Sequence, residues 1–188
     1  AYAAAFVGKA TGGGEILLTL VAGVVAAVAL SVVVGMFVVR YRNIFFGMLN
    51  LAASMIFFSF LEKFYHITGG SDGLSVPRPA VLGMALERES FEIVLFYGAL
   101  TLAVGALLLT RRFLASAPGQ MMRAIKTNEV RLEYLGVSAR GALLTGYVVS
   151  AALCGLGGAL MATAQGIVTP EYAYWTRSGE FVFIAILG

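Results

Sequence analysis

The sequence predicts an all-α, polytopic bundle of membrane-crossing helices, and three observations carry that prediction. Hydrophobic residues make up 60% of the 188 positions and charged residues only 12%, where an ordinary soluble domain is about half apolar and a quarter charged. The apolar residues gather into runs that can cross a bilayer, because about 20 helical residues span a hydrocarbon core of about 30 Å. The charges fall between those runs rather than within them, and mean hydropathy reaches +0.89.

The elements follow in order. Residues 1–8 are apolar and read as the tail of an earlier span. Ile16–Val39 is the first full span, uncharged and bounded by Glu15 and Arg40; Ile44–Leu61 is the second, flanked by Arg42, Glu62 and Lys63. Phe91–Leu109 is the third, with Glu92 near one end and Arg111 and Arg112 closing the other; Ala142–Ala162 is the fourth. Residues 181–188 begin another run too short to cross a bilayer. Both ends are therefore expected to lie inside a longer chain, with residues 1–188 forming one transmembrane domain. No repeat, low-complexity tract or soluble domain interrupts it.

Orientation comes from Lys and Arg, which are retained on the cytoplasmic side. Arg40, Arg42, Arg111, Arg112, Arg123, Lys126, Arg131 and Arg140 share one side with only Glu129 and Glu133. The other side holds Lys9, Lys63, Arg78, Arg88 and Arg177 among the remaining eight acidic residues. The first side is expected to be cytoplasmic. Phe57, Phe58, Phe60, Phe64 and Tyr65 cluster where the second span leaves the bilayer, and Tyr172, Tyr174 and Trp175 lie in the last outer loop, as interfacial anchors do.

Helices in lipid associate by close backbone approach, because lipid tails are as apolar as leucine. Gly23, Ala27, Ser31 and Gly35 form a four-residue-spaced ridge on the first span. Gly146, Ser150, Cys154, Gly158 and Ala162 form one on the fourth, with Gly155 and Gly157 beside it. Such ridges serve either static packing or faces that slide. Asn50 and Ser54 lie one turn apart on the second span, where a buried amide needs a partner; a substrate path and an inter-helix bond both satisfy that need. No Asp, Glu, Lys, Arg or His lies near mid-span, which argues against proton-coupled pumps and voltage sensors.

Between Arg111 and Arg140 the sequence turns amphipathic. Met121, Ile125, Leu132 and Leu135, with Met122 adjoining, share one face of a helix predicted over Gly119–Val137, and Arg123, Lys126, Thr127 and Arg131 share the other. Pro118 precedes it and Gly136 can end it. This helix suits a lipid surface or a partner's groove equally.

Chemistry is otherwise sparse. Cys154 is the single cysteine and His66 the single histidine, so an internal disulfide is impossible and no metal cluster is expected. No Gly-x-x-x-x-Gly-Lys-Ser/Thr loop is present, so any nucleotide has to bind elsewhere. Neither an enzyme centre, a cofactor nor a nucleic-acid interface is expected. In the loop Gly69, Gly70, Ser71, Asp72 and Gly73, the three glycines and Asp72 are turn formers, with contact to a binding protein as the alternative.

Three strings carry a resemblance. Met122-Arg123-Ala124-Ile125-Lys126-Thr127-Asn128-Glu129 with Tyr134-Leu135-Gly136-Val137, Ile67-Thr68-Gly69-Gly70-Ser71-Asp72-Gly73-Leu74, and Thr169-Pro170-Glu171-Tyr172 through Trp175, Ser178, Glu180 and Ile186-Leu187-Gly188 stand in one order. Together they resemble the branched-chain amino acid ABC transporter permeases of the LivM type, and Ala1-Tyr2 resembles the end of an earlier span in that family. The resemblance implies an ABC importer permease in the bacterial inner membrane, without its own ATPase site. Its partners would be a second, similar but distinct permease subunit, two cytoplasmic ATPase subunits, a periplasmic substrate-binding protein and the lipid bilayer. The cytoplasmic helix would dock in an ATPase cleft, through Arg123, Ala124, Ile125, Lys126, Asn128, Glu129, Arg131 and Gly136. The general importer pattern of Glu-Ala-Ala then Gly is degenerate here, since Glu129 and Gly136 do not keep its spacing. Related permeases carry urea or short amides, and a nucleotide-independent secondary transporter or channel is the competing class.

The orientation has a direct check. A cysteine replacing Lys126 (Lys126→Cys, with Cys154→Ser) should react with a membrane-impermeant maleimide only once the cytoplasmic face is opened. Labelling from outside intact cells would reverse the assignment.

Overall fold

Charge ends a helix's stay in hydrocarbon without ending the helix, and this distinction shapes the architecture. A computed structural model describes the chain except residues 14, 42–43, 78, 80–87, 135, 137 and 188. The described helices are α1 (Tyr2–Ala10), α2 (Ile16–Val38), α3 (Ile44–Lys63), α4 (Tyr65–Thr68), α5 (Arg88–Ala115), α6 (Ala117–Tyr134), α7 (Ala139–Gln165) and α8 (Trp175–Leu187). Short 3-10 turns cover Gly70–Asp72 and Pro170–Ala173. Among the described residues, four helices (α2, α3, α5 and α7) are long and apolar enough to cross a membrane. Arg42, Arg78, Leu135, Val137 and Gly188 lie outside the described residues.

Two spans outrun their apolar windows. α5 reaches from Arg88 to Ala115, about 42 Å at the helical rise, because Arg111 and Arg112 are good helix formers. It stops at Ser116, and α6 starts one residue later. There Gly119 is pressed onto α5, so a Cβ on it would collide with the Phe113 carbonyl and sit 2.6 Å from Leu114 Cα. α7 is bounded by cap chemistry. Ser138 Oγ accepts from the Gly141 N–H at 3.4 Å, and Gly166 ends the helix at φ 70°, a left-handed conformation natural to glycine. Among the described residues the fold is all-α but for one device, an antiparallel ribbon of β1 (Leu74–Ser75) and β2 (Ile167–Val168) pairing Leu74 with Val168 and Ser75 with Ile167.

The packing centre is the crossing of α2 and α7. A Cβ on Gly155 would lie 2.6 Å from Ala27 Cβ and 3.0 Å from the Gly23 carbonyl oxygen; one on Gly23 would lie 2.8 Å from Ala159 Cβ. Only hydrogen fits in either place, and the two backbones touch. α1 adds Ala4, buried with Leu20 and Ala159, while Ala5 joins Leu74, Val76, Ala162 and Val168 in a cluster beneath the ribbon.

The ridge expected on α2 meets α7 as four-residue spacing dictates, but the ridge expected on α7 does not act as one face. Gly146 receives Met122 of α6, Gly158 faces the backbone nitrogen of Ala1, and Ala162 joins the ribbon cluster. Ser150 and Cys154 are exposed. The face that meets α2 is one residue round the helix, through Gly155 and Ala159. On a helix crowded with small residues several four-residue series coexist, and the neighbours decide which one is buried.

Replacing Gly155 by valine should force α2 and α7 apart, at about 1–3 kcal/mol for overpacking. A methyl group on Gly157 would meet open space, with nothing within 4 Å. Gly157→Ala should therefore leave the thermal midpoint of the purified protein unchanged or slightly raised, while Gly155→Val lowers it.

Candidate functional site

Where α3 stands away from the α2–α7 pair, a cavity of about 460 Å³ opens between the three helices and reaches toward the 3-10 turn at Pro170–Ala173 and α8. Its size falls in the range of about 300–1,000 Å³ typical of small-molecule sites. Asn50 and Ser54, singled out as a possible path, both line it, together with Ser31, Tyr147 and Cys154. The Tyr147 hydroxyl donates to Asn50 Oδ1 at 2.8 Å, joining α7 to α3 within the spans. Ser54 and Ser31 hydroxyls donate to carbonyls of their own helices, Leu51 and Val28, at 2.8 Å each.

Tyr147 is placed by its neighbours. Its ring lies over Gly35, where a Cβ would come within 2.8 Å of Cδ1, and Phe46 meets it edge-on with centroids 6.3 Å apart. Gly35 thus does more than thin the α2 ridge; it leaves the seat for this ring. Sequence reading missed Tyr147. The available signal was a phenol in the interior of a span, where a hydroxyl needs a partner.

At the end of the bundle that bears the ribbon, Gly69, Gly70 and Gly73 all have positive φ (75°, 51° and 78°). A Cβ at Gly69 would strike the Gly73 carbonyl, and one at Gly73 would lie 2.8 Å from the Val168 carbonyl oxygen. The turn therefore requires glycine at these positions. Ser71's side chain lies outside the described residues. The Tyr65 hydroxyl donates to Asp72 Oδ2 at 2.7 Å. That hydrogen bond, followed by the carboxylate's charge, raises the phenol's pKa above its ordinary value. The ribbon then ties this loop to the next one, with Val76 N–H donating to the Gly166 carbonyl at 2.8 Å. Two of the three resembling strings are thereby joined in space. Tyr174 of the second one packs edge-on against Phe58 of α3, centroids 5.2 Å apart.

At the opposite end, α6 packs back on its own chain. Met122 sits over Gly146 of α7, and Leu132 is buried. Sequence reading offered lipid or a partner's groove for the apolar face of this helix; part of it instead covers α7. Arg123 and Thr127 are exposed, Ala124 and Ile125 half-buried, and Gly136 follows the helix at φ 78°. The side chains of Lys126, Asn128, Glu129 and Arg131 lie outside the described residues.

Bilayer-length helices lining an open cavity with a hydrogen-bonded polar pair define a multi-pass membrane protein of the helical-bundle class. The chain belongs to the family described as "Branched-chain amino acid transport system / permease component", whose match runs over residues 1–188. It is 30% identical to the "High-affinity branched-chain amino acid transport system permease protein LivM" of Escherichia coli (strain K12), over 89% of this chain and 44% of that protein. The protein of the same name from Salmonella typhimurium is also 30% identical, with the same coverage. The chain thus spans less than half the length of these curated relatives. No solved structure matches it significantly.

The Tyr65–Asp72 contact predicts a pH dependence. A phenol whose pKa is raised on folding contributes its full stabilisation below the free value of about 10 and loses it as pH rises further. Asp72→Asn should bring the ionisation of Tyr65 down toward that free value, read as tyrosinate absorbance against a Tyr65→Phe reference.

Proposed function

We propose that this chain belongs to the transmembrane permease subunit of an ATP-driven importer that carries branched-chain amino acids across the bacterial inner membrane. The observation that carries this reading is the family match over the entire chain, joined by two relatives whose names specify branched-chain amino acid transport. On this reading the end bearing α6 is cytoplasmic, as the excess of Lys and Arg there favours. ATP is bound and hydrolysed by two partner subunits, and a similar but distinct permease subunit completes the pathway. A periplasmic binding protein delivers substrate at the ribbon end, where Gly69, Gly70, Ser71, Asp72 and Gly73 form the outer turn.

Coupling runs through α6. Arg123, which is exposed, engages an ATPase subunit together with Lys126, Asn128, Glu129 and Arg131, and Ala124, Ile125 and Gly136 complete the docking segment. Met122 then passes any displacement of α6 to Gly146 of α7. Tyr147, the next residue, bonds to Asn50 across the cavity. One packed route therefore links the nucleotide-driven end to the polar wall.

The test is uptake of labelled leucine by proteoliposomes carrying the whole complex. Uptake should require ATP and the binding protein, and Ile125→Ala or Glu129→Ala should lower it about tenfold, the loss of about 1.4 kcal/mol of docking energy, together with ATPase stimulation. Uptake sustained by an ion gradient after ATP depletion would establish the secondary-transporter class instead. Preference for urea or an amide over leucine would move the substrate.

A further inference from the structure

Hydrogen-bond accounting around the cavity leaves a specific remainder. An asparagine side chain offers one acceptor oxygen and two N–H donors. Asn50 Oδ1 accepts from the Tyr147 hydroxyl, which fixes the oxygen's side of the amide, and the two N–H groups have no acceptor among the described residues. Ser31 and Ser54 present the converse. Each has given its hydrogen to a carbonyl of its own helix, so each shows the cavity only lone pairs. All these groups line the same cavity, and the remaining wall includes Leu30, Val34 and Phe57, with no charged side chain among the described residues that line it.

Within a bilayer span an unanswered donor is unfavourable, and Asn50 is open to the cavity, so its amide hydrogens meet water when the cavity is empty and an acceptor when it is filled. We propose that Asn50 is a substrate-contacting residue of the translocation path, whose amide N–H groups receive the carboxylate of an amino acid, and that Tyr147 is the positioning residue that aims them. The oxygens of Ser31 and Ser54 take the ammonium group, and the apolar wall takes an aliphatic side chain. The neutral character of the described lining side chains matters. Neutral hydrogen bonds hold a zwitterion weakly, so it can be released, as a path demands and a storage site does not. The assignment rests on the importer reading given above.

The experiment uses the whole complex with its binding protein in proteoliposomes and follows ATP hydrolysis, leucine uptake and the reactivity of Cys154, which lies on the cavity wall. In the unaltered complex leucine should slow modification of Cys154 by a small methanethiosulfonate, with Cys154→Ser as the blank. Asn50→Asp sets a carboxylate against a carboxylate and should cut uptake about tenfold or more while binding-protein-stimulated ATP hydrolysis persists. Tyr147→Phe keeps the ring and frees the amide, and should remove leucine's protection of Cys154. Normal uptake and normal protection in both variants would overturn the assignment while leaving the importer reading intact. If Asn50→Asp fails to assemble, protection in Tyr147→Phe decides alone. Failure of the unaltered complex to import leucine on ATP would remove the importer reading; Tyr147-dependent protection by leucine would then still support the site, and its absence would end both.

Discussion

The bundle depends on a backbone contact that side chains merely permit. In water, burying apolar surface would draw α2 and α7 together; in lipid that drive is absent, and close approach has to supply the attraction. Gly23 and Gly155 allow it by presenting nothing but hydrogen at the crossing, with Ala27 and Ala159 as the first side chains to touch. α1 lays Ala4 and Ala5 against the same pair. The other spans are attached far more loosely. Leu61 is the only buried residue described in α3, and Phe91, near one end, is the only buried residue described in α5. The cavity follows from this inequality, being the space left where a rigid pair meets a helix that does not close onto it.

That inequality also separates a fixed part from a part free to respond. α3 is pinned at its ribbon end by the Phe58–Tyr174 ring contact and the Thr68 hydroxyl near the Leu61 and Phe64 carbonyls. Within the membrane its polar tether is the Asn50–Tyr147 bond. α6 is seated on α7 one residue before Tyr147, so the element proposed to meet the ATPases and the element lining the cavity share a turn of one helix. A contact chain this short asks little of the intervening structure.

Much of the fold was legible because hydropathy and small-residue spacing are the terms that dominate in lipid. All four spans show in the apolar runs, and the α2 ridge reads correctly because one four-residue series there, Gly23, Ala27, Ser31 and Gly35, runs longer than the Ala22–Ala26 pair beside it. α7 defeated the same reasoning: Gly146, Gly155, Gly157 and Gly158 support several faces, and the choice among them belongs to Met122, Ala1 and Ala27 on other elements. Helix ends in α5 and α7 escaped too, since transfer to lipid says nothing about where hydrogen bonding stops. Of the cavity, Asn50 and Ser54 were visible as polar intrusions, whereas Tyr147 was hidden by its mostly apolar ring. Nothing in the chain pattern foretold that two loops about ninety residues apart would share a ribbon, because two-residue strands leave no periodicity to detect.

The ribbon has a consequence for how the two loops it joins can vary. Leu74 and Val168 point into the cluster above Ala5 and Ala162, while Ser75 and Ile167 face outward. Side chains alternate along a strand, so a single inserted residue would turn Ser75 inward and expel Leu74. Loop length here is thus held to strict parity: a surface segment, ordinarily the most tolerant part of a chain, inherits the intolerance of a sheet interior.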